Sequence, residues 1–523
     1  MSTKINDIKK VVVTGASGAV GRCILRNLLS EGIEVRAVDI RSPGDDILSM
    51  PGISFVQGDL TDSAFASSIA SGMDAVIHTA ALVDIGLDYE ALYPLNVEAV
   101  CNLYIAAAKA GARRFVHFSS GSVYGPGAGG VVDEDTPLVA KSPYERTKIE
   151  SEEAIAELYH DMGLEWIVLR PSLIYGPGAR FLAAGAAAIP PVLRWVLGEK
   201  VPGFKGGPRT NLVHAEDVAR AAIFLMRNAA PLRAYNVADT TPLDAGAILT
   251  AAIRAWGIEP AFMIPIPEPE SMRPLRSILD SDAFFDAINA PIGPGWKRLA
   301  EEHGLEPGLH LSVDRGSAPY LFQDTVFSVD RLRVRGFTWK HPDFSKSIAS
   351  VLRWYEDHRW IPRIQDVEPG GGRTPHVGFS FTETMAGEVD LVDEGRREGG
   401  RPFVFTVTAK ALRIDRFLQD AETRIDGILC WDGIADGVPI QGSLRMPLLS
   451  RRQLHYDFTF KADDGETYRF TGRKDVDVLR PLESMTTLPG QVLDSSGDEV
   501  ASGVARFNLG RDLLPMVASF SLI

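Results

Sequence analysis

Two patterns of hydrophobic and polar positions divide the chain. From Val11 to about Ala238, short apolar runs alternate with segments whose apolar residues recur at helical spacing. The apolar runs are predicted strands at 11–13, 34–38, 53–57, 75–78, 114–119, 165–170 and 235–237, and helices such as 93–110 and 144–160 lie between them. This alternation predicts an α/β fold with a doubly wound parallel sheet, the Rossmann arrangement.

The pattern changes in the second half of the chain. Residues 240–360 are irregular and rich in proline before a last helix at 344–358, and they predict a small substrate-covering subdomain together with 176–210. A linker is predicted at 362–376, because Pro369-Gly-Gly-Gly372 interrupts the apolar pattern. Beyond it, segments alternate with period two, Asp464-Gly465 is a hairpin signal, and 516–523 is a strand candidate. We therefore predict a Rossmann core at about 8–240 inside a first domain of 1–361, and a separate all-β barrel or sandwich at 377–523.

Composition limits the classes of partner. The net charge of −14 argues against nucleic acid, which needs clustered Lys and Arg. Three distant cysteines predict a reducing compartment and neither disulfides nor a metal site. The first residues lack a signal peptide's apolar core, and the most apolar run, Phe181–Ile189, is stopped by Pro190-Pro191, well short of a membrane span. We expect a cytoplasmic protein without a membrane span, and we interpret Phe181–Ile189 as a core helix or an apolar lid.

A glycine turn follows the first predicted strand. Gly15, Gly18 and Gly21 are spaced three apart, and a predicted helix begins next to them. Such a turn lets the backbone approach a pyrophosphate at the positive end of the helix. The second strand ends in Asp39, where a carboxylate meets the ribose diol of an adenosine. The alternative is a turn whose glycines serve packing alone.

A second group carries reaction chemistry. Tyr144 and Lys148 lie one helical turn apart on one face, and the ammonium, together with a nicotinamide ring, would lower the phenol pKa towards neutrality. Such a phenol can act as the acid/base of a C–OH/C=O interconversion. Upstream, Ser120 and Ser122 follow a strand, and a serine there can bind the substrate oxygen; the alternative is a polar turn capped by serines.

Together and in this order, these motifs resemble the extended short-chain dehydrogenase/reductase family. The resemblance covers about residues 10–360 and rests on Gly15-x-x-Gly18-x-x-Gly21, Asp59-Leu60, His78-Thr-Ala-Ala81, Asn96-Val97, Ser119-Ser120, Tyr144-x-x-x-Lys148 and Arg170-Pro171. It implies Ser120, Tyr144 and Lys148 as catalytic residues. It implies a cofactor site of Gly15, Ser17, Gly18, Ala19, Val20, Gly21, Asp39, Ile40, Arg41, Asp59, Leu60, Thr79, Ala80, Ala81, Asn96, Tyr144, Lys148, Pro171 and Leu173. Asp39 favours NAD because its charge repels a 2′-phosphate, while Arg36 and Arg41 leave NADP as the alternative.

Departures from the family pattern bear on the substrate. Gly121-Ser122 stands where sugar 4,6-dehydratases carry an Asp-Glu pair, and Leu173 stands where sugar-nucleotide enzymes carry Asn. The 3β-hydroxysteroid dehydrogenase-like branch is more similar, through 80–84, 95–97, 168–178 and 211–214. Segments 379–387 and 468–474 of the β domain resemble a tail segment of cholesterol-oxidase-like flavoenzymes; the alternative is a dimerisation or stabilising module.

These comparisons of motifs leave three hypotheses of function. The first is an NAD(P)-dependent dehydrogenase or reductase acting on a bulky apolar small molecule, sterol-like or lipid-like. The second is a nucleotide-sugar epimerase, and the third is a non-enzymatic cofactor-binding or scaffold protein. A homodimer and a peripheral contact with a membrane are open alternatives for its partners.

Overall fold

The computed structural model describes residues 8–83, 87–125, 130–180, 182–266, 268, 293, 296–309, 323–368, 378–393, 396–413, 417, 420–446, 453–475, 481–519 and 521–522. Predictions for Phe181, for 269–292 and 310–322 of the substrate-covering segment and for 369–376 of the linker lie outside the described residues. The chain divides into two compact units, with 8–191, 202–269 and 298–364 in the first, and 192–201 and the residues from Gln365 onward in the second. The predicted domain bounds, 1–361 and 377–523, stay predictions.

The first unit is built on a seven-stranded parallel sheet. Its strands are β1 (Lys10–Thr14), β2 (Glu34–Asp39), β3 (Ile53–Gln57), β4 (Ala75–His78), β5 (Arg114–Phe118), β7 (Trp166–Pro171) and β12 (Arg233–Val237). Their order is β12-β7-β5-β4-β1-β2-β3, so the direction of winding reverses between β1 and β4. Ligands bind such sheets at the carboxyl ends of the strands beside this reversal.

Helices lie between and after these strands along the chain. They are α1 (Ala19–Ser30), α2 (Asp45–Leu48), α3 (Ser63–Ala70), α4 (Tyr89–Tyr93), α5 (Ala99–Lys109), α6 (Pro143–Met162), α7 (Leu182–Leu197), α8 (Ala215–Asn228), α9 (Ala245–Ala255), α10 (Asp330–Val334) and α11 (Phe344–Asp357). Alternate strand residues explain the two layers: Val11 and Val13 pack with α1 and α8, whereas Val12 packs with α3, α5 and α6. The predicted Rossmann fold is confirmed.

Short strands complete the first unit. They are β6 (Val131–Val132), β8 (Leu173–Tyr175), β9 (Gly203–Gly206), β10 (Arg209–Thr210), β11 (Leu212–His214), β13 (Leu243–Asp244), β14 (Met263–Ile266) and β15 (Val326–Phe327). They pair as β11-β8, β14-β9, β15-β6 and β10-β13.

Two predicted helices differ from the observed ones. The helix predicted at 93–110 is α4 and α5 joined by a π-helical turn, Pro94–Glu98. The run that we expected to stop at Pro190-Pro191 continues through both prolines as α7. Proline has no backbone N–H to donate, but its fixed φ is compatible with a helix. The two prolines therefore do not end α7, contrary to the prediction from the sequence. Among the described residues, no helix is both long and apolar enough to cross a membrane.

The second unit contains a closed antiparallel barrel. Eight strands, each paired with the next, form it: β16 (Phe379–Asp393), β17 (Arg396–Ala411), β18 (Glu422–Trp431), β19 (Ala435–Arg445), β20 (Gln453–Lys461), β21 (Thr467–Asp475), β22 (Thr487–Leu493) and β23 (Glu499–Arg506). The barrel closes because β23 also pairs with β16. This decides between the predicted barrel and sandwich.

Smaller elements accompany the barrel strands. They are α12 (Pro481–Thr486), α13 (Leu509–Ala518) and β24 (Ser521–Leu522), which pairs with β16. Gly465 has a φ of +91° in the β20–β21 hairpin, as its sequence predicts. The strand predicted at 516–523 is wrong for its first part, because α13 extends to Ala518.

Candidate active site

The glycine turn between β1 and α1 is closely packed. Gly15 has a φ of +67°, and a Cβ at that position would lie 2.5 Å from the Thr79 hydroxyl oxygen. A Cβ at Gly21 would lie 2.1 Å from the carbonyl oxygen of Gly15. Helix α1 follows Gly18 and has no side-chain cap, so its first N–H groups are available to an anion. The predicted residues Ser17, Ala19 and Val20 belong to this turn.

Asp39 joins the end of β2 to the glycine turn. One carboxylate oxygen accepts from the Ser17 N–H and the other from the Arg41 N–H, each at 3.0 Å. Arg36 is directed elsewhere, because its guanidinium donates to the carbonyls of Ile69 and Ser71 at 2.6 and 2.9 Å. The exposed Ile40 lies between Asp39 and Arg41. The Asp39 carboxylate lies at the end of β2, and the Arg36 guanidinium is held away from it. This arrangement suits the 2′-hydroxyl of NAD better than the 2′-phosphate of NADP.

Thr14 connects β1 to the predicted pyrophosphate-ribose path after β4. The Thr79 hydroxyl donates to the Thr14 carbonyl at 2.7 Å, and the Ala80 N–H donates to the Thr14 hydroxyl at 3.4 Å. These bonds hold Ala80 and Ala81 beside the glycine turn. On the far side, Asp59 and Leu60 follow β3, where Leu60 is buried and Asp59 accepts from the Thr61 N–H at 2.9 Å.

Asn96 is fully buried in the π-helical turn. Its amide oxygen accepts from the Leu82 N–H at 2.9 Å. Its amide nitrogen donates to the Leu82 carbonyl at 3.1 Å and to the Thr147 hydroxyl at 3.3 Å. The amide therefore fixes the loop after β4 against α6. A direct contact between Asn96 and the cofactor stays a prediction.

The three predicted catalytic residues are brought together at the carboxyl ends of β4 and β5. Ser120 accepts from the Ser122 N–H and hydroxyl at 3.2 and 2.9 Å, and its side chain is close enough to lower the pKa of Tyr144. Tyr144 lies in the first turn of α6, which a capping box between Ser142 and Glu145 fixes. One turn later, the Lys148 ammonium donates to the Phe118 carbonyl at 2.9 Å, 5.9 Å from the Tyr144 ring centroid.

Burial controls the protonation of the site. It raises the pKa of Tyr144 to about 12, although the Ser120 side chain favours the phenolate. It lowers the pKa of Lys148 to about 8, against the attraction of Glu152. Desolvation of the phenolate therefore dominates the Tyr144 pKa in the protein without its cofactor, and the lowering expected beside Lys148 and a nicotinamide ring stays a prediction.

Apolar side chains border the predicted nicotinamide position. The Pro171 carbonyl lies against Gly121, where a Cβ would be 3.0 Å from its oxygen. Leu173 opens β8 and is 36% exposed, and Leu82 and Val83 after β4 are 38% and 43% exposed. The structure therefore leaves leucine and valine surface exposed in the segments that follow β4 and β7.

Sequence reasoning missed the ion pair that supports this edge. Arg170 binds Glu152 of α6 through two bonds, of 3.1 and 2.6 Å, with both side chains buried. Arg170 also donates to the Tyr124 hydroxyl at 3.0 Å, and that hydroxyl donates to Asn236 at 2.6 Å. The sequence displays the motif Arg170-Pro171, but the partner Glu152, one turn beyond Lys148, carries no signal in a local pattern.

A cluster of possible metal ligands lies at the start of α8. His214, Glu216 and His341 bring ligand atoms within 4.8 Å of one another. The two imidazoles stack at 3.9 Å with 26° between their planes, so their lone pairs do not converge on one ion. Glu216 instead binds His341 at 3.0 Å and Lys340 at 2.6 Å. We interpret this cluster as a structural one that ties the start of α8 to Lys340 and His341. The absence of a metal site stays a prediction.

The sheet and the glycine turn without a side-chain cap define a Rossmann-fold protein, in which Ser120, Tyr144 and Lys148 lie together at one edge of the sheet. Residues 11–238 match the NAD dependent epimerase/dehydratase family. The 3-beta-hydroxysteroid dehydrogenase of Mycolicibacterium neoaurum is 30% identical over 386 residues, which cover 71% of this chain and 97% of that protein. The dTDP-glucose 4,6-dehydratase of Streptomyces niveus is 28% identical, over 45% of this chain and 74% of its own. The chain belongs to the NAD dependent epimerase/dehydratase family, the extended short-chain dehydrogenase/reductases, and its cofactor is NAD.

Solved structures agree with this fold. The crystal structure of gox2253 matches with a TM-score of 0.50 and 21% identity, over 68% of this chain and 99% of its own. At this identity the match shows the fold alone. The glycine turn and Asp39 carboxylate of this chain fit the phosphates and ribose diol of the family's cofactor.

Proposed function

We propose that this oxidoreductase interconverts a secondary alcohol and a ketone on a bulky apolar substrate. The observation that carries the proposal is the Ser120–Tyr144–Lys148 group, in which the Ser120 side chain acts on the pKa of Tyr144 and Lys148 lies one helical turn from Tyr144. NAD, when bound, accepts or supplies the hydride. The individual roles of these residues are part of the proposal.

The geometry supports a division of labour in the site. A substrate oxygen that takes the place of the Ser122 hydroxyl on Ser120 would receive its hydrogen bond and face the Tyr144 hydroxyl. Tyr144 then takes or gives the proton of that oxygen. Lys148, held by the Phe118 carbonyl, stabilises the phenolate that forms during alcohol oxidation.

The borders of the site favour an apolar substrate. Leu82, Val83 and Leu173 expose apolar surface, and Leu173 cannot offer the amide hydrogen bond expected for a nucleotide diphosphate. The name of the Mycolicibacterium relative supports a sterol-like alcohol. A cytoplasmic location, a homodimer and a peripheral membrane contact stay predictions.

A nucleotide-sugar enzyme is the second candidate, and the Streptomyces relative named as a dehydratase favours it. Gly121 and Ser122 provide no acid beside Ser120, so elimination of water lacks its usual acid pair. A non-enzymatic scaffold is disfavoured, because it would not need Ser120, Tyr144 and a buried Lys148 together at one edge of the sheet.

The test is a substrate screen combined with one variant. Purified protein with NAD is mixed with sterols, fatty alcohols and nucleotide sugars, and reduced cofactor is followed by absorbance. Tyr144→Phe should lower turnover by about two to four orders of magnitude and leave NAD affinity nearly unchanged. Tyr89→Phe, whose hydroxyl binds Glu150, is the control. Turnover of nucleotide sugars alone, or near-normal turnover by Tyr144→Phe, would contradict the proposal.

A further inference from the structure

A row of polar side chains crosses the centre of the sheet near Lys148. Thr14, His78 and His117 are aligned neighbours at the ends of β1, β4 and β5, so their side chains lie on the same face. All three are buried, at 0%, 1% and 0% exposure. Two residues earlier on the same strands, that face is apolar: Val12, Val76 and Phe115. Polar groups in this position need a specific explanation.

Hydrogen bonds fix the tautomer of His117. The Ser151 hydroxyl donates to the Lys148 carbonyl at 2.8 Å, so its oxygen accepts from His117 Nε2 at 2.9 Å. His117 therefore carries its proton on Nε2. Its Nδ1 is a buried acceptor without a partner among the described residues.

His78 takes the complementary role. Its Nδ1 lies 2.7 Å from the Thr14 hydroxyl, whose oxygen also accepts from the Ala80 N–H. The hydroxyl proton of Thr14 is then donated to Nδ1, which leaves the His78 proton on Nε2. That nitrogen is a buried donor without a partner in the described part of the chain. The His78 and His117 rings lie side by side, with their centroids 5.8 Å apart and their planes inclined by 15°.

Both imidazoles are neutral at physiological pH. Burial of both rings, together with the nearby Lys148 ammonium, lowers the pKa of His78 to about 3 and that of His117 well below 6.5. The charged or titratable group facing the pair is Lys148, and Thr14 and Ser151 contribute hydroxyls. A neutral row adds no repulsion to the lysine charge.

The row holds Lys148 at both ends. Its Nζ binds the carbonyl of Phe118, the residue after His117, and its backbone carbonyl binds Ser151, the partner of His117. The spacing between β5 and α6 at Lys148 thus depends on the His117–Ser151 bond. We infer that this neutral row of two hydrogen-bonded pairs, Thr14–His78 and His117–Ser151, positions Lys148 for catalysis through the bond between His117 and Ser151. This inference rests on the proposed function, since it presumes that Lys148 takes part in the reaction.

Removal of either partner of this bond tests the row. Ser151→Ala and His117→Phe should each lower kcat about tenfold, because small displacements of a catalytic group are costly. The apparent pKa at which alcohol oxidation accelerates should rise, since a displaced Lys148 stabilises the phenolate less. His117→Gln, which retains an N–H donor, should have a kcat close to that of the wild type. The double variant Ser151→Ala/His117→Phe should have a kcat no lower than that of the slower single variant, because both changes remove the same hydrogen bond.

Controls separate this role from general packing. Ser350→Ala is matched to Ser151→Ala, because the Ser350 hydroxyl also donates to the carbonyl three residues earlier, at 2.7 Å. It should leave kcat and the pH profile unchanged. Isothermal titration of each variant with NAD measures binding independently of turnover: Ser350→Ala should keep the wild-type Kd, whereas Ser151→Ala and His117→Phe should weaken NAD by less than they lower kcat, because Lys148 also belongs to the implied cofactor site.

Nitrogen NMR of protein with 15N-labelled histidine tests the row without substrate. Both rings should carry the proton on Nε2 and show no titration between about pH 5 and 9. The inference would be overturned if the His78 or His117 ring were charged near pH 6. It would also be overturned if Ser151→Ala and Ser350→Ala had the same kcat and the same pH profile. Lys148→Met distinguishes the failures: if it keeps turnover, the proposed function fails, and if it alone loses turnover, only the row fails.

Discussion

Replacement of Gly21 by alanine should abolish NAD binding in a chain that still folds. The Cβ would lie 2.1 Å from the Gly15 carbonyl oxygen and 2.9 Å from its carbon, and both atoms belong to the backbone of the cofactor turn. Ordinary contacts begin at about 3.5 Å, so the turn and α1 must separate by on the order of 1 Å. No side-chain rotation can relieve this clash.

That displacement sets the expected magnitude. The turn must present its N–H groups to the pyrophosphate at hydrogen-bond distance, and a shift of about 1 Å costs about 100-fold in comparable positioning. We therefore expect the Kd of NAD to rise at least about 100-fold, equivalent to ~3 kcal/mol. Isothermal titration measures the Kd, and circular dichroism verifies that the helices persist.

A glycine at the other end of α1 provides the control. Gly32 has a φ of +75°, and the Cβ that an alanine would add there meets no atom within 4 Å, so Gly32→Ala imposes backbone strain without a clash. It should bind NAD like the wild type. If Gly21→Ala also binds NAD normally, the turn is not the cofactor cradle. If both variants lose binding equally, the loss reflects strain on α1 in general.

Three further changes test the electrostatics. Asp39→Ala should weaken NAD about tenfold and narrow its lead over NADP in paired titrations; a wild type that prefers NADP would contradict the role of Asp39. Glu152→Gln should lower the free energy of unfolding by about 3 kcal/mol in urea melts, because Arg170 stays buried without its anion; a cost no larger than that of Glu150→Gln on the surface would refute this. His214 has a pKa of about 3 in the folded protein. The unfolded chain therefore binds more protons below pH 6.5, stability falls on acidification, and His214→Asn should flatten that fall in thermal melts at pH 5 and 7.

The sheet could be predicted from the sequence because each of its strands is a short apolar run followed by a helical segment, and this pattern repeats along the chain. Val11 to Val13 alternate between the two buried faces, and the turn after them announces itself through three glycines. Asp39 was predicted for the same reason, since a strand's last residue has a fixed place at the edge of a parallel sheet. The family resemblance then supplied Ser120 and Lys148, whose proximity follows from β5 and α6.

The remainder depends on pairings distant in sequence. His117 and Ser151 are 34 residues apart, and neither residue type signals the other. The raised pKa of Tyr144 could not be predicted either, because it reflects how completely the fold removes water from the phenol. The sequence shows the lysine at position 148 but not how deeply the fold buries the phenol beside it.

The interior of the barrel bears on whether this domain recruits substrate or serves as a dimerisation or stabilising module. Buried aromatic rings pack against each other inside it: Phe403, Phe405, Trp431, Phe458 and Phe470. The buried charges of this core are satisfied together, since Tyr456 bonds both Glu383 and Lys474. Small eight-stranded barrels hold either side chains or one ligand, and the described interior is filled by side chains.

A chain truncated after Ile361 tests what this packing implies. Every residue proposed for catalysis or NAD binding precedes that point, so the truncated protein should bind NAD with the Kd of the full chain. Because aromatic side chains pack together in the described interior of the barrel, we expect no sterol site there, and the Michaelis constant for apolar alcohols should also change less than about threefold. Light scattering compares the mass of both proteins in solution, and a loss of mass beyond that of the removed residues would identify a dimerisation module. A selective rise of the Michaelis constant for apolar alcohols would instead show that the barrel recruits substrate through its outer surface. Failure of the truncated chain to fold would mean that the two predicted domains share a core, and the predicted linker would be wrong.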